Sequence, residues 1–184
     1  AGILMDTPSR VKSGQCVLYL NGVNISNNIA AADGGGVYVN IQMKCYMDGC
    51  TLQNNQAGDE GAGIYQYTGS EISVKNSKLL ANTSGNNGSA IYAGSDFTPE
   101  NSTITGNKTD NGAAVYIAPA RYDGHSYVNG TLKFGGDLQI CDNEGTLDDL
   151  YMDEGTAAAV SKEGFKENTR ICVQLHSGVL TNTI

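Results

Sequence analysis

Apolar residues along this chain fall into short alternating runs rather than helical stripes. Leu18 and Leu20, Cys45 and Met47, Ile72 and Val74, Phe97 and Pro99, and less regularly Leu132 and Phe134 each flank a single residue. That period of two belongs to a strand with one buried face. A turn dipeptide follows each of the first four pairs: Asn21-Gly22, Asp48-Gly49, Lys75-Asn76 and Glu100-Asn101. Beyond the turn, an aliphatic residue is followed three positions later by asparagine, at Ile25/Asn28, Leu52/Asn55, Leu79/Asn82, Ile104/Asn107 and Ile140/Asn143. Four segments then close on a glycine, two small residues, Val or Ile, and a tyrosine: Tyr38, Tyr65, Tyr92 and Tyr116, spaced by 27, 27 and 24 residues.

A fixed period in this range, carried by strand-forming residues, is the mark of a solenoid. No stretch of 10–12 residues shows the 3.6-residue period of an amphipathic helix. The pattern predicts an all-β fold: a right-handed parallel β-helix of about five coils, with three short strands per coil. One domain covers residues 1–184, with 1–14 as a lead-in or cap, 15–152 as coils and 153–184 as a partial coil or cap. Phe165, Ile171, Val173 and Leu175 are the apolar residues available to that last part.

Each repeated position then acquires a physical task. Val37, Ile64, Ile91 and Val115 point inward and stack. The small residues before them leave clearance where the strand passes the opposite wall. Asn28, Asn55, Asn82, Asn107 and Asn143 form an internal ladder, satisfying corner backbone groups that strands leave unpaired. Burial there closes the Asn-x-Ser/Thr sequons at Asn82 and Asn107 to glycosylation. Alternation turns Tyr38, Tyr65, Tyr92, Tyr116 and Tyr151 outward on one face. Such a ladder could stack against sugar rings or anchor a protein, or its rings could simply cover one another.

The paired phrases resemble the repeats of polymorphic outer-membrane proteins, and similar repeats in adhesin-like right-handed β-helix proteins of bacterial surfaces. The resemblance covers roughly residues 15–152, with Ile or Leu here where that family's second phrase usually has Phe. It implies secretion, surface display and adhesion, and it supplies no catalytic residues.

Composition narrows the partners. The chain has 24 glycines and 18 asparagines among 184 residues, suited to many tight corners. Its net charge of −8 lacks the basic footprint that nucleic acids and anionic membranes require. No apolar run approaches the ~18 residues of a membrane span. The start at Ala1, without an initiating Met or a signal peptide, reads as a processed or excised piece of a longer chain.

Three groups carry candidate chemistry. Asp33, Asp59, Glu60, Asp110, Asp148 and Asp149 gather just before the tyrosine strands. The first four are candidate calcium ligands or a solvated loop edge. The stretch 118–130 interrupts the array and carries Arg121, Tyr122, Asp123, His125 and Tyr127. Inserted loops on rigid scaffolds often hold function, though no nucleophile accompanies Asp123 and His125. Of five cysteines, Cys45 and Cys50 could bridge across a turn, Cys141 and Cys172 fall on different strands, and Cys16 stands apart. No spacing suggests zinc, and no cofactor is implied.

The expected function is a non-enzymatic adhesin-like module, extracellular or on a cell surface. It would bind a glycan or protein along one face of the rod or through the 118–130 loop. The alternative is a polysaccharide-active enzyme of the lyase or glycoside hydrolase kind, which would need carboxylates and a cation converging in a groove.

Overall fold

A computed structural model describes residues 1–6, 16–119, 121–122, 126–128, 130–147 and 149–175. The chain winds into stacked coils whose strands pair in parallel with the equivalent strands one coil away. Sheet A contains Ile3–Met5, Val37–Val39, Ile64–Gln66, Ile91–Ala93, Val115–Ile117, Leu150–Met152 and Val173–Leu175. Sheet B contains Val17–Asn21, Lys44–Asp48, Glu71–Lys75, Phe97–Glu100, Thr131–Gly136 and Ala157–Phe165. Sheet C runs from Asn24–Ser26 through Thr51–Gln53, Lys78–Leu80, Thr103–Thr105 and Gln139–Ile140 to Arg170–Ile171. A fourth ladder, sheet D, joins the two-residue strands Ile29–Ala30, Gln56–Ala57, Thr83–Ser84 and Lys108–Thr109. Two residues are too few to show alternation, so this ladder leaves no signal in the sequence. No helix of the described residues is long and apolar enough to cross a membrane.

The corners are where the sequence placed them. The second residue of each turn dipeptide, Gly22, Gly49, Asn76 and Asn101, has φ between 47° and 63°. The next corner uses Asn27, Asn54, Ala81, Gly106 and Asp142, all left-handed as well. Glycine and asparagine reach this region with least strain, which accounts for their abundance.

Inward residues fill one continuous core. Cys45, Met47, Leu52, Ile64, Ile72, Val74, Leu79, Ile91, Phe97, Ile104, Val115 and Leu132 are all buried. The asparagine ladder runs along one edge of it. Asn55 Nδ2 donates to Asn82 Oδ1 at 3.0 Å, and Asn82 Nδ2 donates to Asn107 Oδ1 at 2.9 Å. The same oxygens accept the backbone N–H of the preceding asparagine, at 3.0 Å in both cases. Asn28 and Asn143 extend the ladder at its two ends.

Clearance is needed against the neighbouring coil rather than the opposite wall. A Cβ on Gly63 would lie 2.4 Å from the carbonyl oxygen of Ala90, and one on Gly36 would lie 2.6 Å from that of Gly63. Parallel strands at ~4.8 Å spacing bring successive backbones this close at a bend.

Candidate functional site

The outer face of sheet A carries the tyrosine column. Its strands pair in register, so Tyr38, Tyr65, Tyr92, Tyr116 and Tyr151 lie directly above one another. Successive ring centroids are 5.0, 5.0, 5.4 and 5.7 Å apart, all stacked.

The expected exposure of these rings does not hold. Tyr65 is 5% exposed, Tyr92 1%, and Tyr116 and Tyr151 9% each, while Tyr38 is half-buried. Each ring face is covered by the next ring. The column also packs with Ala113, Ala118 and Leu147, forming a second apolar cluster outside the main one. Sheet A is therefore buried on both faces, the usual condition of a parallel sheet. No ring face between Tyr65 and Tyr116 is open for a sugar to stack on.

Arg121 reaches this column from the 118–130 stretch, in which Arg121–Tyr122 pairs antiparallel with Tyr127–Val128. Its guanidinium carbon lies 5.8 Å from the centroid of the Tyr92 ring, within cation–π range. The two features singled out separately in the sequence thus meet in space. Arg121 is exposed and makes no ion pair among the described residues. Asp123 and His125 lie outside the described residues, as does Asp148. Of Tyr122 and Tyr127 only the backbone is described.

Glu60 completes the cluster. Burial, with Asp59 and Asp33 adding like charge, pushes its carboxyl up to about 7, against a smaller opposing pull from Arg121. Asp33 is also raised, first by burial, although its Oδ1 accepts the Glu60 backbone N–H at 3.1 Å. Burial first, then Glu60, Asp33 and Asp153, hold the Tyr92 hydroxyl strongly in the protonated form, against an opposing pull from Arg121. That hydroxyl is buried with no hydrogen-bond partner among the described residues. Among the described residues Asn87 Oδ1 and Ser89 Oγ, in the same coil, are also buried without hydrogen-bond partners. The Tyr116 hydroxyl, by contrast, donates to Asp153.

The acidic edge does not converge on a cation. Asp59 Oδ1 accepts from Asn86 Nδ2 at 2.6 Å, and Asp110 lines a separate groove of about 280 Å³ along sheet D. Among the described residues no three Asp, Glu, His or Cys side chains could hold a metal ion. Asp149 has a different task. Its Oδ1 accepts from Asn143 N at 2.7 Å and from Asn143 Nδ2 at 2.6 Å, standing where a sixth asparagine oxygen would be. It caps the ladder. Cys45 and Cys50 are free thiols, and Cys50 Sγ donates to Leu20 O at 3.3 Å.

The sequence profile described as a right-handed beta helix region matches residues 2–131. The chain belongs to the right-handed β-helix family. No curated protein and no solved structure matches it. Family membership agrees with the coils, the parallel register and the buried asparagine ladder, and it leaves the ligand open.

One surface feature of this β-helix escaped the sequence reading. Tyr19 and Tyr46 stack at 5.3 Å on the outer face of sheet B, with Tyr19 68% exposed. Tyr46 Oη donates to Glu71 Oε1 at 2.7 Å, and Lys44 Nζ donates to Glu71 Oε2 at 2.8 Å. These contacts hold Glu71 below the usual carboxylate range, the Lys44 bond foremost. The signal was present, because residues 19 and 46 share the 27-residue spacing of the other tyrosines.

Proposed function

We propose that this β-helix is a non-enzymatic, adhesin-like module, extracellular or displayed on a cell surface. It binds a glycan or protein ligand on the outer side of sheet A, at the hairpin that carries Arg121. The observation supporting this most strongly is the meeting of Arg121 with Tyr92. An exposed guanidinium, without an ion pair among the described residues, lies 5.8 Å from the centroid of a buried ring at an interruption of the repeat. Guanidinium groups suit carboxylate and hydroxyl recognition because five N–H donors are held in a rigid fork. With the rings buried, the ligand would meet Arg121 and the rim formed by Glu60 and Asp33 rather than an open tyrosine face.

One observation favours the enzymatic alternative. A carboxyl held near pH 7 is suited to general acid catalysis, and Glu60 has that property beside Asp33 and a cation. Function resides in sites rather than folds, so the scaffold does not decide between the two. Screening the protein on an array of neutral and acidic glycans and matrix proteins, with polygalacturonate and alginate assays alongside, separates them. Binding that falls at least tenfold in Arg121→Ala, with no uronic-acid product released, is expected. Product release that disappears in Glu60→Gln would overturn the adhesin reading.

A further inference from the structure

Cys141 and Cys172 occupy equivalent places in successive coils. Ile140 and Ile171 are register partners in sheet C. Cys141 N donates to Ile104 O at 3.3 Å, and Cys172 N donates to Ile140 O at 3.0 Å, so the parallel ladder continues through both cysteines. Register partners on parallel strands lie ~4.8 Å apart, inside the ~4.4–6.8 Å Cα separation that disulfides span. Alternation sends both side chains to the face opposite Ile140 and Ile171. Both thiols are free in the structure, Cys141 buried and Cys172 half-buried.

A bridge needs Cβ atoms ~3.5–4.5 Å apart, so the two side chains must lean together by a few tenths of an ångström. Their position permits this. Cys141 precedes the left-handed corner residue Asp142, φ 58°, and Cys172 separates Arg170–Ile171 from Val173–Leu175. Arg170, bonded to Asp142 Oδ2 at 3.0 Å, lies near both sulfurs. Cys141 is buried and Cys172 only half-buried, so Cys172 is the sulfur that a dissolved disulfide reaches first.

We propose that Cys141 and Cys172 form a disulfide that staples the last coil to the rod. The Cys172 thiolate attacks one sulfur of a small-molecule disulfide such as oxidised glutathione. The other sulfur leaves with the electron pair and is protonated. Cys141, as thiolate, then displaces the second glutathione from the mixed disulfide. Two protein thiols lose two protons and two electrons, and one donor disulfide becomes two thiols. The remaining cysteines are poorly placed for this exchange. Cys45 and Cys50 are sealed in the core, and Cys16 is half-buried against it.

The experiment treats the full chain with oxidised glutathione, denatures it, alkylates it with iodoacetamide and maps it by mass spectrometry. Three alkylated cysteines are expected, with one tryptic cross-link joining the peptides that contain Cys141 and Cys172. A second reading uses native trypsin, which meets exposed Lys166 and Arg170 between the two cysteines. The carboxy-terminal fragment should be released only after reduction, and without reduction in Cys172→Ser. Five alkylated cysteines after oxidation, or a bridge joining any other pair, would overturn the proposal.

Discussion

Glu60 and Tyr92 show how single side chains are held at a cost on the outer face of sheet A. Glu60 is more easily ionised in the unfolded chain than in the fold, because burial and its acidic neighbours oppose the charge. The native state therefore binds more protons than the unfolded state between the ordinary carboxylate pKa of 4.5 and about 7, and stability falls as pH rises through that window. Glu60→Gln removes the cost. At pH 8 it should stabilise the fold by about 1 kcal/mol after allowance for solvent screening, and at pH 4 by nothing, as thermal melts at the two pH values would show. A variant no more stable at pH 8 than at pH 4 would contradict this placement of Glu60. Tyr92→Phe deletes a buried hydroxyl that has no hydrogen-bond partner among the described residues. It should leave stability unchanged or raise it by up to about 1 kcal/mol in urea denaturation, whereas loss of a satisfied hydroxyl would lower it.

At the scale of the elements, the spacing of coils governs what each strand can carry. Gly63→Ala would push a Cβ against the Ala90 carbonyl, which belongs to the backbone of the next coil and cannot rotate away. A loss of about 2–3 kcal/mol in unfolding free energy is expected, read as a lowered urea midpoint, at the upper end of overpacking effects. An unchanged midpoint would mean that the coils slide apart freely. Much of this level was legible in the sequence. Alternating pairs marked sheet B, the turn dipeptides marked left-handed corners, and the asparagine at a fixed offset marked the ladder. That the tyrosine rings could cover one another was legible, but the rest of their cover was not, because alternation reports which side of a strand a residue leaves and not what packs there. That further cover is supplied by Ala113, Ala118 and Leu147. The pairing of Cys141 with Cys172 was hidden for a similar reason: the last coils depart from the regular period, so the two cysteines share no repeat spacing.

For the whole molecule, the distribution of apolar surface separates sides from ends. Among the described residues the large exposed hydrophobics are Leu4, Val17, Tyr19 and Ile29 at one end, Val160, Phe165 and Val173 at the other, and Tyr67 between them. The sides of the rod are otherwise polar, as expected where each coil buries its apolar face against neighbours. A ligand approaching the side must then be held by hydrogen bonds and charge, and the exposed guanidinium of Arg121, beside sheet A, is well suited to that. The central claim is that this face is the ligand surface. Its most direct measurement compares wild type and Arg121→Ala for affinity toward whichever array glycan or matrix protein the wild type retains, with thermal melts confirming equal folding. The account predicts at least a tenfold loss of affinity at unchanged melting temperature. Equal affinity in the two proteins would contradict it.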